Sequence, residues 1–257
     1  LMVPKDRWAE WLDPANDDWQ MALNYGLSNL GTLAMDQGDF AAAEQHFKEA
    51  LDVSRALSDN QPGDAGRLIT TGTSLAWLAD AVMRQGKLTQ ARDLRLEEIA
   101  LYEHWLATRA ADANVRQLMA DARYRLAQIH LAMGRLDEAQ ESALLATQIA
   151  DDLLAADLGN IGRVDRASLA HAIAGEVHLH RRQYRQARES LLRSIAIADG
   201  FVARKGGLEG SRGLTSSQPR LVLASLLVRT GQTEEAMSLY AKVLASHRGE
   251  MATGKTV

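Results

Sequence analysis

The sequence predicts an all-α protein, a solenoid of about eleven antiparallel helices arranged as five repeats. Three observations carry that prediction. Alanines Ala43, Ala91, Ala139, Ala187 and Ala236 recur at spacings of 48, 48, 48 and 49. A second column of small residues, Gly31, Ala79, Ala127, Gly175 and Ala224, keeps the same step. The composition, rich in alanine and leucine with only 4 prolines and 5% aromatic residues, favours helix over sheet.

Taken in order, residues 1–12 read as the tail of a second helix and an N-terminal cap, with Trp8 and Trp11 packing on the first repeat. On that register the chain is expected to begin inside a longer protein. The first repeat (13–59) contains the best-preserved unit, Leu27 to Leu51, two amphipathic helices joined at Gly38. Gly31 and Ala43 are expected to let those helices approach closely, with Leu30 and Phe47 filling the space on either side. Repeats follow at 60–108, 109–157, 158–204 and 214–247, turning at Gly86, Gly134, Arg182 and Gly231. The leucine column continues as Leu78, Leu126, Ala174 and Leu223. The loops containing Pro14 and Pro62 lie one period apart and carry helix-start chemistry. Lys205 to Gly213 is rich in glycine and reads as a flexible connector or a lid, after which a helix restarts near Ser217 with Pro219 in its first turn. Residues 248–257 read as a flexible tail.

The alternation of Leu30-Gly31 with Ala43 and Phe47, together with Asp13, Pro14, Asn16, Trp19 and Gln20, resembles a long-period tetratricopeptide repeat (TPR) array of the bacterial type. The resemblance covers roughly residues 13–247. It implies a right-handed TPR-like superhelix, and such arrays often lie downstream of kinase, winged-helix or other signalling domains. Each unit here is about 14 residues longer than the family's usual repeat. A physical reason is visible, because the position where the family often ends its second helix with proline holds Arg55, Glu103, Asp151, Asp199 and Arg248. Helices of about 20 residues are therefore expected. The second repeat departs from the pattern, with Arg95 and Glu98 where the family has an aromatic residue and an alanine.

Several functions are disfavoured. A formal net charge of -4 does not suit a general nucleic-acid binder. No apolar run is long enough to span a membrane, and the charged N-terminus does not read as a signal peptide. The expected setting is cytoplasmic, with the periplasm left open because a chain without cysteine carries no redox signature. Gly249 to Thr256 spells the G-x-x-x-x-G-K-T phosphate-loop pattern but lacks the strand and helix that make it work. His130, His171 and His178 share helical columns, yet read as satisfied or partly buried histidines and not as metal ligands. Acid pairs such as Glu97-Glu98 and Asp151-Asp152 read as solvated charge. No nucleophile or acid–base set stands out. No enzyme activity, metal or cofactor is expected.

Binding remains. The family register implies that the first helices line a concave surface and that Tyr25, Ser28, Thr32 and Met35 point into it. The same register adds Thr73, Ala76, Asp80 and Met83; Asp121, Tyr124, Gln128 and Leu131; Leu169, Ala172, Glu176 and Leu179; and Leu221, Ser225 and Val228. Arg84 and Arg125 flank the acidic members Asp80, Asp121 and Glu176. Met35, Met83 and Leu131 form an apolar row that reads either as a strip for a partner or as core. The family's carboxylate clamp for chaperone tails is absent, since Ser28, Thr32 and Trp77 occupy its places. The leading reading is a scaffold for a protein or peptide, or for a domain of the same longer chain. Two others stand beside it: a structural arm forming a homo-oligomer through its end repeats, and a small-ligand sensor.

Overall fold

A computed structural model of the chain describes residues 16–204 and 217–252, with side chains as far as residue 245. Among them are ten α-helices and no strand, in consecutive antiparallel pairs. The pairs are α1 (Asp17–Asp36) with α2 (Phe40–Asn60), α3 (Ala65–Arg84) with α4 (Leu88–Leu106), α5 (Ala113–Ala132) with α6 (Leu136–Ala156), α7 (Ile161–His180) with α8 (Tyr184–Arg204), and α9 (Ser217–Arg229) with α10 (Thr233–Ala252). The eleventh expected helix, the tail at 1–12 with Trp8 and Trp11, lies outside the described residues, as does the Lys205–Gly213 connector. Nine of the ten helices run 19 to 21 residues. The missing prolines do let the second helices run on. Two compact units divide within the start of α5, Leu1–Val115 and Arg116–Val257.

The first helices of the first four repeats start from a common cause. Asn16 and Asp64 accept from the backbone N–H three residues on, at 3.1 and 2.9 Å, and Asp112 and Asn160 do the same at 3.1 and 3.2 Å. These caps sit one period apart. They satisfy N–H groups that a helix end otherwise leaves unpaired.

The turns inside each pair are tighter. Gly38, Gly86, Gly134 and Gly231 hold φ between 73° and 81°, and Arg182 takes the same left-handed conformation at φ 60°. The next residue then performs two jobs. Asp39, Lys87, Arg135, Gln183 and Gln232 each donate N–H back to a carbonyl of the finished helix, at 2.8 to 3.0 Å. Their carbonyls accept the first bond of the next helix from the column alanines Ala43, Ala91, Ala139, Ala187 and Ala236.

Two layers of close approach hold each pair. In the first, a small residue meets the column of Phe47: an ideal Cβ on Gly31 would lie 2.4 Å from the Phe47 ring, and one on Gly175 would lie 2.6 Å from Leu191 Cγ. Where the facing residue is Ala143, alanine at 127 suffices. Phe47 therefore packs onto Gly31 itself. Leu30, expected to fill space beside it, instead points outward and is 49% exposed. The second layer lies nearer the other end of the pair. There Asn24 Nδ2 donates to the Ala50 carbonyl at 2.7 Å, Ala120 shares a core cluster with Ala146, and Ser168 and Ser194 each donate to the other's carbonyl, at 3.1 and 2.7 Å. Burying such polar groups is tolerable because they are bonded.

Within each unit, successive repeats set first helix beside first helix. In the first unit Arg67 of α3 reaches Asp17 of α1 at 2.5 Å and the Leu57 carbonyl at 2.6 Å. In the second unit Arg166 of α7 reaches Asp121 of α5 at 2.7 Å, and Gln218 of α9 donates to Glu176 of α7 at 3.0 Å. The second helices are laced by Arg55–Glu97 and Arg188–Glu235, and the turns reach the second helix of the preceding repeat through Lys87–Glu44 and Arg181–Asp137. These exposed pairs set register more than stability.

Candidate functional site

Within each unit, the first helices carry a row of residues along one side. In α3 the row reads Ile69, Thr73, Ala76, Asp80 and Met83, and all five are half-buried. In α5 it reads Gln117, Asp121, Tyr124, Gln128 and Leu131, again all half-buried. Spacings of four and three put these side chains on a single stripe of a helix.

The first unit orders its row unevenly. Tyr25 is exposed at the start of the row in α1 and Met35 is half-buried at its end. Thr32 is exposed, but its hydroxyl donates to the Ser28 carbonyl at 3.0 Å and is occupied by its own helix. Ser28 is a correction: it is buried with its Oγ unpaired, inside the packing and not on the surface. In α3, Thr73 and Met83 are half-buried, and Arg84 is exposed with its guanidinium 5.2 Å from the centroid of Phe40. Asp80 is held at 2.6 Å by Arg95, which rises from α4 beneath it.

That arginine overturns the reading of Glu98 as solvated charge. Arg95 and Glu98 are both buried, 2.7 Å apart, and Arg95 also donates to the Ala76 carbonyl at 3.1 Å. Burial pushes the Glu98 carboxyl up, against the attraction of Arg95; burial works against the Arg95 charge as well, but the carboxylates of Glu98 and Asp80 outweigh it and keep the guanidinium protonated. Only Glu97, paired with Arg55, lies on a wet helix face.

The second unit is richer. Tyr124 accepts from Gln128 at 2.9 Å, and Arg125 spans both, 5.2 Å from the Tyr124 ring centroid and 3.1 Å from Gln128 Oε1. Burial pushes the Tyr124 hydroxyl up in pKa. Glu176 is half-buried and burial raises its carboxyl, Gln218 opposing. Leu131 packs on the edge of the α5–α7 core, whereas Leu179 is a second correction, buried in the cluster with Leu191 and Leu223. Asp165, which the sequence reading missed, lies one turn before Leu169 in the row. Its carboxyl is raised by burial, with Arg166 opposing and Asp121 adding to it. The available signal was helix length, since an extra turn extends the row to 117 and 165.

The three histidines each have a protein neighbour. His171 Nε2 lies 3.1 Å from Asp151, His178 Nδ1 lies 2.7 Å from Gln183 Oε1, and His130 Nδ1 lies 3.4 Å from Ser142 Oγ. Among the described residues no three His, Cys, Asp or Glu side chains are grouped to hold a metal ion, and no helix is long and apolar enough to cross a membrane. The first half of the phosphate-loop pattern, from Gly249, is helical as far as Ala252, the opposite of an open loop whose N–H groups wrap a phosphate. Its second half lies outside the described residues.

Models of the tetratricopeptide repeat match residues 26–62, 220–249 and 120–153. Neither describes a catalytic family. Among solved structures, the chain is similar to BtubC (BKLC) from P. vanneervenii, with 18% identity and a TM-score of 0.67 over 98% of this chain and 87% of that one. A putative kinesin light chain from Podosopora anserina with nearly identical TPR-like repeats gives 18% and 0.57, over 90% of this chain and 96% of that one. The apo form of RapI gives 9% and 0.62, over 93% of this chain and 56% of that one. No curated protein matches. The chain is a TPR-like array, and at such identities the likeness to solved structures concerns the fold alone.

Proposed function

We propose that the array is a protein-interaction module in which the first-helix row of each unit offers a surface to a protein or peptide partner. TPR repeats typically serve this purpose. The observation that carries the reading is the unbroken half-burial of the rows in α3 and α5, neither core nor fully wet, which a bound chain would finish covering. In the first unit Thr73 and Met83 offer contacts to such a chain, and in the second unit, taken by itself, Tyr124, Arg125, Gln128, Leu131 and Glu176 do. Asp80 and Asp121 are already paired and position their neighbours. A signalling role and a cytoplasmic setting belong to the same proposal.

The test starts from the partner recovered from source cells by the tagged chain, then purified. Calorimetry with Met83→Glu and Leu131→Glu is expected to show binding weakened at least tenfold, while Lys48→Glu on the outer face of α2 leaves it unchanged. Equal binding by all three moves the site off the row.

A further inference from the structure

The half-buried carboxylates of the second unit, among the described residues, are Asp121, Asp151, Asp165 and Glu176. Two of them have a base beside them: Arg166 reaches Asp121 at 2.7 Å, and His171 Nε2 lies 3.1 Å from Asp151. The other two do not. Asp165 makes no hydrogen bond or ion pair among the described residues, and Glu176 accepts only from the neutral amide of Gln218, at 3.0 Å. Arg166 and His180 attract these two carboxylates only from beyond contact. Arg166 gives its hydrogen bond to Asp121, and Arg125 is engaged by the Tyr124 ring and Gln128. Asp165 and Glu176 stand eleven positions apart on α7, about 16 Å and three turns, so they share one side of the helix with the half-buried Leu169 between them. The Tyr124 hydroxyl of α5 lies close enough to feel both charges.

A carboxylate drawn partly out of water without a cation to meet it is costly, and burial raises the pKa of both groups for that reason. An arriving positive charge would offset the cost. We infer that the first-helix row of the second unit, taken as the partner surface proposed above, receives a basic segment of a protein whose lysine or arginine side chains meet Asp165 and Glu176. Charge complementarity selects this occupant over an acidic or purely apolar one. An extended chain rises about 3.3 Å per residue, so side chains about five residues apart reach the two carboxylates. Leu169 and Tyr124 offer apolar surface to the stems of those side chains while the charged ends stay at the carboxylates.

Fluorescence anisotropy on the full chain, with a labelled twelve-residue peptide of alternating lysine and alanine, tests the inference. The lysine peptide is expected to bind in a salt-sensitive manner, and peptides with glutamine or glutamate in place of lysine are expected not to bind. Asp165→Asn and Glu176→Gln are each expected to weaken binding about threefold, and together about tenfold, with helix content unchanged by circular dichroism. Glu141→Gln with Glu189→Gln removes the same formal charge from exposed positions on α6 and α8 and is expected to leave binding unchanged. No binding of the lysine peptide overturns the inference, as does equal binding of the glutamine peptide or a loss as large in the Glu141 and Glu189 variant. So does stronger binding after Lys205→Ala with Arg212→Ala, since the chain's own cations would then be filling the row. The partner recovered from source cells keeps the two questions apart. Binding weakened by Leu131→Glu but not by Asp165→Asn with Glu176→Gln leaves the row a partner surface and overturns its basic specificity, whereas binding untouched by either overturns both.

Discussion

Arg95 Nη1 lies 2.7 Å from Glu98 Oε2, and both side chains are 3% exposed. They stand in the columns that hold Phe47 and Ala50 in the first repeat and Leu191 and Ser194 in the fourth. The second repeat thus replaces part of its core with an ion pair, which extends through Asp80 to the surface. Removing one partner strands the other charge in the interior. Arg95→Met is expected to cost about 3–5 kcal/mol in urea unfolding, and Arg95→Met with Glu98→Met to recover most of that loss. A double variant as unstable as the single one would show that the pair is more than its charges.

The carboxyls of Glu98 and Asp112 should respond oppositely to acid. Burial raises the folded pKa of Glu98, so its contribution is greatest in acid and declines as pH rises through that value. For Asp112, burial opposes ionisation, but hydrogen bonds from Trp105 and from the N–H groups of Val115 and Asn114 outweigh it and lower the pKa. Its contribution is present at neutral pH and is lost on acidification. The stability difference between wild type and Glu98→Gln should therefore grow as pH falls through the carboxylate range, while that for Asp112→Ala shrinks. Parallel trends in the two series would contradict the assignment.

Arg182 is exposed and is the one non-glycine among the described residues at positive φ. The left-handed conformation costs an ordinary residue about 1 kcal/mol or more. Arg182→Gly is expected to raise stability by up to about 1 kcal/mol, the unfolded-state entropy of glycine offsetting part of the gain. Thermal melting measures this directly.

Gly31 faces the Phe47 ring with no room for a methyl group. Gly31→Ala is expected to cost about 1–3 kcal/mol through overpacking. Phe47→Leu in the same chain should recover part of it, and two costs that simply add would argue against direct contact.

The fold was legible because the repeat period wrote it five times. Small residues, turn glycines and alanines each report backbone geometry, which varies little between copies. What failed was burial. Ser28 and Leu179 sit in a row implied to be open but are covered by neighbouring helices, and sequence spacing within one helix does not report what packs over it. Glu98 misled for a related reason: two adjacent glutamates read as a charged face, yet successive positions on a helix point about 100° apart, and one of them met Arg95 in the core. Asn16, Asp64, Asp112 and Asn160 form a column of caps at the 48-residue period, but only the loops with Pro14 and Pro62 carry a proline that marks a helix start in the sequence.

The residue that closes one helix and opens the next leaves those turns with no slack. Inserting a single amino acid at Asp39, Lys87, Arg135, Gln183 or Gln232 would separate two hydrogen bonds that now depend on one peptide unit. The links at 61–64, 107–112 and 157–160 divide the same work between different residues. They are the places where a loop can be lengthened, a foreign peptide grafted or the chain cut and rejoined, which makes the hairpin, and not the single helix, the portable part of this protein.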